Sequence, residues 1–214
     1  MKRLLLLTGV LWLAAAAAQQ ENLIPALGAL DRGDYRQAID SLRPLAADGT
    51  IEVQYVLGTI LETAPPPFRD LAGARAWYLR AAESGHASAQ NNLGAMHFDG
   101  RGALKDFIAA AQWYRFAADL GHPVAQTNLA LMHGEGLGVP QDLAEMASLL
   151  QKAAEAGEPR AQAHLGRLYL DGEGVAQNAA EALKWFRAAA AQDNEGAALF
   201  LAIMLQKGIG APRD

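Results

Sequence analysis

A period of 36 residues, running without insertion from Gly49 to Asp214, constrains this chain more than any other feature. Val53, Ala89, Ala125, Ala161 and Ala197 form one column, and Gln54, Gln90, Gln126, Gln162 and Ala198 the next. Four places past the first column stand Leu57, Leu93, Leu129, Leu165 and Leu201, each followed by Gly or Ala. Gly100, Gly136, Gly172 and Gly208 each precede a second Gly two residues on. Asp70, Asp106, Asp142, Asn178 and Asp214 share a column, ahead of Trp77-Tyr78, Trp113-Tyr114, Leu149-Leu150 and Trp185-Phe186. Paired alanines (Ala81-Ala82, Ala117-Ala118, Ala153-Ala154, Ala189-Ala190) close each unit. Such a period marks a repeat architecture, whatever the secondary structure of its unit.

Each unit reads as two helices. Ala89, Leu93 and Met96 lie at helical spacing and predict a first helix over Ala87 to Asp99, ended by Gly100 as a left-handed cap. Asp106 is placed to cap a second helix, which turns Ile108, Ala111, Trp113-Tyr114 and Ala117-Ala118 inward and stops at Gly121. Small inward residues let backbones approach, and the aromatic fills the space between layers. One helix pair cannot bury its own apolar face, so stacked neighbours must supply the core. The fold class expected is all-α, an α-solenoid of helix-turn-helix repeats.

The run Ala89-Gln90-Asn91-Asn92-Leu93-Gly94, then Gly100-Arg101-Gly102, Asp106, Trp113-Tyr114 and Ala117-Ala118, resembles the Sel1-like repeat, a relative of the tetratricopeptide repeat. The resemblance divides the chain into repeats 51–86, 87–122, 123–158 and 159–194 and a half repeat 195–214, behind a capping hairpin 19–50. Three departures stand out: Ala64-Pro65-Pro66-Pro67 replaces Gly-x-Gly in the first repeat, Leu149-Leu150 replaces the aromatic pair in the third, and Asp193 replaces the closing Gly in the fourth. The Pro run should stiffen its loop. Asp214 stands where a further second helix would be capped, so the apolar face of the last helix is expected to be less covered and open to self-association or a partner.

Residues 1–18 read as a signal peptide. Met1-Lys2-Arg3 is a positive start, Leu4 to Ala18 is apolar, and Ala14 to Ala18 offers small residues for cleavage after Ala18. The run falls short of the roughly 20 residues that span a bilayer, so no membrane span is expected after cleavage. With Cys 0, neither a disulfide nor a lipid-modified cysteine is expected. The expected location is periplasmic, with secretion as the alternative. A net charge of −5 argues against nucleic acid as a partner, since such binding draws on clustered Lys and Arg.

Chemistry is sparse. The Gly-x-Gly loops follow helices and lack the rest of a dinucleotide fingerprint. His97 and His133 share a column with Tyr169 and read as packing residues; His86 and His122 read as surface or cap residues, and His164 as a polar structural position. Asp99, Glu135 and Asp171 recur one place before each capping Gly, which suits repetition better than a glycosidase pair. No serine lies in a nucleophile elbow. No catalytic residue, metal site or cofactor is expected.

What remains is surface. Two columns vary sharply between repeats: Tyr55, Asn91, Thr127, Ala163 and Leu199, and, four residues on, Thr59, Ala95, Leu131, Arg167 and Ile203. Residues four apart share a helix face. They predict a partner-binding groove with a neutral middle, a cation at Arg167 and an apolar end at Leu199 and Ile203, suited to an extended peptide or a helix. The resemblance implies a non-enzymatic scaffold or adaptor in envelope regulation or complex assembly. Its alternatives are a secreted factor binding host proteins and a cell-wall-binding or hydrolysing protein like cysteine-rich relatives.

Overall fold

The computed structural model describes residues 17–210, with side chains from residue 23. Eleven helices and no strand occur among the described residues. In chain order they are α1 Ala17–Asp31, α2 Tyr35–Ala47, α3 Ile51–Thr63, α4 Leu71–Glu83, α5 Ala87–Asp99, α6 Phe107–Asp119, α7 Pro123–Glu135, α8 Leu143–Glu155, α9 Pro159–Asp171, α10 Ala179–Ala190 and α11 Glu195–Lys207. The chain divides into two compact units, 1–105 and 106–214. Residues 1–16 and 211–214 lie outside the described part, and with them most of the segment expected to be a signal peptide and the capping position expected at Asp214.

The helices begin and end where the repeated polar and Gly residues stand. Asp70 caps α4, Asp106 caps α6, Asp142 caps α8 and Asn178 caps α10, each side-chain oxygen accepting from backbone N–H groups in the first turn at 2.9–3.1 Å. Gly100, Gly136, Gly172 and Gly208 adopt φ of 68–75° and close α5, α7, α9 and α11. The second Gly of each loop has a task beyond capping. A Cβ on Gly102 would stand 2.7 Å from the carbonyl oxygen of Leu71, the first residue of α4. Gly138, Gly174 and Gly210 press still closer on the corresponding carbonyls of Phe107, Leu143 and Ala179. Each loop therefore locks onto the start of the preceding repeat's second helix.

The cores are built from the small and large columns. In the first unit Val53, Leu57, Ala89, Leu93 and Met96 are buried against Ala74, Tyr78, Ala81 and Ala82. In the second, Ala125, Leu129, Met132, Ala161, Leu165 and Leu168 face Ala117, Leu150, Ala153, Phe186 and Ala189. Gly58 lies under the Tyr78 ring and Gly166 under the Phe186 ring, where a Cβ would come within 2.7 Å and 3.0 Å of ring carbons. The Gln column, broken only by Ala198 in the last half repeat, ties repeats together. Gln54, Gln90, Gln126 and Gln162, all buried, donate from Nε2 to the carbonyls of Ala46, Ala82, Ala118 and Ala154 at 3.0–3.2 Å. Those carbonyls end the preceding second helices and also accept from the turn glycines Gly49, Gly85, Gly121 and Gly157, so the Gln supplies a second bond that reaches in from the next repeat.

One inward assignment is corrected. Ile108 is 62% exposed, because it stands in the first turn of α6 beside Phe107 and the buried faces begin at Ala110 and Ala111. Trp113 is only half-buried and meets Phe116 edge-on at 5.6 Å, while Tyr114 is buried as expected.

Asp193 takes φ 61°, the position held by Gly85, Gly121 and Gly157 in the other repeats. A left-handed residue with a side chain costs about 1 kcal/mol, less for Asp than for a branched residue. Asp193→Gly is therefore expected to raise the unfolding free energy by up to about 1 kcal/mol. Gly138→Ala, which adds both the left-handed cost and a clash with Phe107 O, is expected to lower it by about 3 kcal/mol. Urea denaturation of the two variants measures both signs, and an unchanged midpoint for Gly138→Ala contradicts the locking contact.

Candidate partner-binding face

The first helices carry the two variable columns, and the structure sorts their residues into different environments. In the first unit Tyr55 stacks on His86 at 4.5 Å and lies 5.9 Å from Tyr78. The Thr59 hydroxyl stands 3.0 Å from the Tyr55 carbonyl and 3.1 Å from the Tyr78 hydroxyl oxygen, and it can donate to either. Tyr78 donates its one hydroxyl proton to Glu62 at 2.8 Å, and Glu62 pairs with Arg101. Burial first, and the Glu62 charge second, push the Tyr78 hydroxyl far above its usual pKa, so it stays a neutral donor. Tyr55 and Thr59 thus belong to a packed polar network, with Asn91 and Ala95 half-buried on the next first helix.

In the second unit the residues diverge further. Thr127 is fully buried, which removes it from any surface. Its hydroxyl donates to Pro123 O or to Glu158 Oε2, both at 3.0 Å. Glu158, itself buried, caps α9 by accepting from Ala161 N–H. Thr127 therefore supports a buried carboxylate and departs from its expected groove role. Leu131 and Ala163 are half-buried, Arg167 is exposed, and Leu199 and Ile203 are exposed on α11.

Leu131 and Arg167 come together at a depression of about 230 Å³. Its walls are Leu131, Gly134 and Glu135 of α7, Leu143 and Met146 of α8, His164, Arg167 and Leu168 of α9, and Glu173 of the following loop. Arg167 Nε lies 3.4 Å from Asp171 across one helical turn. The His164 imidazole is held below its ordinary pKa by burial, then by Arg160 and Arg167. It is neutral at neutral pH.

The histidines find structural partners. His86 and His122 accept through Nδ1 from Ala89 N–H at 3.1 Å and Ala125 N–H at 3.2 Å, as N-caps of α5 and α7. They share the role with Glu158 and Asn194, a capping column that the mixed residue types hide in the sequence. His133 is buried with Nδ1 at 3.3 Å from Pro140 O and Nε2 at 2.9 Å from Arg115 Nη2. Pro140 O can only accept, so the proton sits on Nδ1 and Nε2 accepts from Arg115. Asp99 pairs with Arg101 at 2.9 Å, Asp171 with Arg167, and Glu135 is exposed. Among the described residues no three His, Asp or Glu converge as a metal site requires, and no helix is long and apolar enough to cross a membrane.

A sequence profile of the Sel1 repeat matches residues 51–86, 87–122, 123–158, 159–194 and 196–214. Among curated proteins nothing matches significantly. A protective antigen of uropathogenic Escherichia coli with an SLR fold is similar at 32% identity and TM-score 0.84, over 99% of this chain and 45% of that one. The chain thus spans less than half the length of that relative. A Sel1 repeat protein from Oxalobacter formigenes is similar at 31% identity and TM-score 0.80, over 90% of this chain and 79% of that one. Cysteine-rich protein B of Helicobacter pylori, at 23% identity and TM-score 0.51 over 62% of this chain and 96% of that one, shares the fold alone.

Two predictions follow from the buried polar groups. Thr127→Val leaves the Glu158 carboxylate one donor short and is expected to cost about 1–3 kcal/mol in chemical denaturation. His86, like His164, is held below its ordinary pKa by burial. The unfolded chain therefore binds these protons more tightly, and stability falls as the pH drops below about 6.5. His86→Asn/His164→Asn, which keeps polar groups at both positions, is expected to flatten the fall of the thermal midpoint on acidification; an equal fall contradicts it. The repeats, the left-handed loop glycines and the helix-pair stack together place this chain in the Sel1 repeat family, whose members generally mediate protein–protein interaction.

Proposed function

We propose that this chain is a non-enzymatic exported adaptor that holds a peptide segment of a partner protein against its first-helix face. The observation that carries the reading is the contrast between columns on the same helices. The repeated Gln, Leu and small columns are committed to the stack, whereas Leu131 and Arg167 vary between repeats and meet at an open depression. Structural columns must match at every repeat because the contacts are the same; a recognition column is free to differ. A mixed apolar and charged surface on rigid helices suits a peptide that lies along it.

Export rests on the positive start and apolar run of Met1 to Ala18. A role in regulating or assembling envelope complexes, without catalysis, accords with His86 and His122 serving as caps and Asp99 and Asp171 lying in ion pairs. Similarity to a protective antigen supports the alternative of a secreted factor, because a protective antigen must meet the host.

Crosslinking in intact cells, followed by capture of a tagged full-length chain and mass spectrometry, tests the reading. The wild type is expected to retain an envelope partner that Leu131→Glu/Arg167→Glu loses, with helicity by circular dichroism unchanged. Equal capture by both proteins contradicts it.

A further inference from the structure

The depression on the second unit owes its shape to two residues that break their columns. Gly134 stands where the other repeats have Glu62, Phe98 and Leu170. Met146 stands where they have Ala74, Ala110 and Ala182. A Cβ on Gly134 would lie 2.7 Å from Met146 Sδ, so the thioether lies across the bare backbone of α7. Met146 remains half-buried at the cavity. Exchanging a large for a small side chain on α7, and the reverse on α8, places a mobile apolar group where a fixed wall would otherwise stand.

The volume of about 230 Å³ is below the roughly 300–1,000 Å³ of sites for drug-sized ligands, and suits one large side chain. Leu131, Met146 and Leu168 give it apolar walls. The charge at its mouth is negative. Glu135 and Glu173 are exposed, the one lining cation, Arg167, faces Asp171, and His164 is neutral. An acidic rim around an apolar recess selects a complementary ligand: one apolar side chain with a basic neighbour.

We infer that this cavity is the anchor subsite of the first-helix face, taking a single Leu, Met or Phe side chain of a partner peptide while an adjacent Lys or Arg lies against Glu135 and Glu173. The inference rests on the partner-binding reading of that face and narrows it to one chemistry. Buried apolar area supplies the affinity, and the carboxylates set orientation and choice of neighbour.

Selection of a random-peptide phage library on the full-length protein tests it, followed by affinity measurement with the enriched peptide. The peptides are expected to share an apolar residue directly beside Lys or Arg. Gly134→Leu, which fills the recess with the residue found at Leu170, is expected to weaken the enriched peptide about tenfold or more. Glu135→Lys/Glu173→Lys changes only exposed positions, keeps the fold, and is expected to turn the selected neighbour from basic to acidic. No enrichment, or peptides without the apolar-basic pair, overturns the inference. An enriched peptide indifferent to both pocket variants but lost on Leu199→Glu/Ile203→Glu, at exposed positions of the face outside the recess, overturns the subsite while the face stands; one indifferent to all three overturns both.

Discussion

The bond from a glutamine amide to the last buried carbonyls of the preceding helix is the constraint on which the rest of this structure depends. The final carbonyls of a helix have no partner inside the helix, and each has two lone pairs to satisfy from outside it. Here the N–H of the turn glycine (Gly49, Gly85, Gly121 or Gly157) takes one lone pair of that carbonyl at 2.9–3.2 Å, and the next first helix covers the other. Gln54, Gln90, Gln126 and Gln162 fill that second site with the same donor at 3.0–3.2 Å. The bond also sets where each first helix lies against its predecessor. Gly102, Gly138, Gly174 and Gly210 then fix the other end of the junction by close contact with the first carbonyl of the earlier second helix. A repeat held at both ends cannot vary its length, which accounts for a period without insertions.

That rigidity explains the division of labour on the first helices. Their inner positions are consumed by the junction, and their ends by caps: His86, His122, Glu158 and Asn194 all accept from the first turn. Only the positions that touch neither are free to carry recognition. Leu131 and Arg167 are among these, and the Gly134–Met146 exchange opens the recess between them. A site on rigid helices loses little conformational entropy on binding, so even a small recess can discriminate between side chains.

Most of the fold was legible in the sequence because periodicity reports packing directly. The bounds of α5, the Asp and Asn caps and the left-handed glycines all stand at the residues the columns indicate. The roles of the Gln column and the second loop Gly were not legible, since their partners are carbonyls, which carry no sequence signal. Thr127 was misread for a related reason. Variation between repeats marks a surface residue or a local buried contact alike, and Thr127 varies because Glu158, its partner, occurs in one repeat alone. Ile108 failed on geometry, since its column lies in the first turn, ahead of the buried Ala110 and Ala111. The recess itself left a readable trace in two broken columns, but only the structure shows that Gly134 and Met146 touch.

The proposed adaptor holds its partners by the first-helix face and not by the exposed sides of the second helices, where Ile108, Phe116 and Leu120 also stand open. Oxidative footprinting of the full chain, alone and with its crosslinked partner, distinguishes the two directly. Leu131 and Met146 are expected to become protected while Ile108, Phe116 and Leu120 react as before. Protection of Ile108 and Phe116 with Met146 still reactive would contradict it.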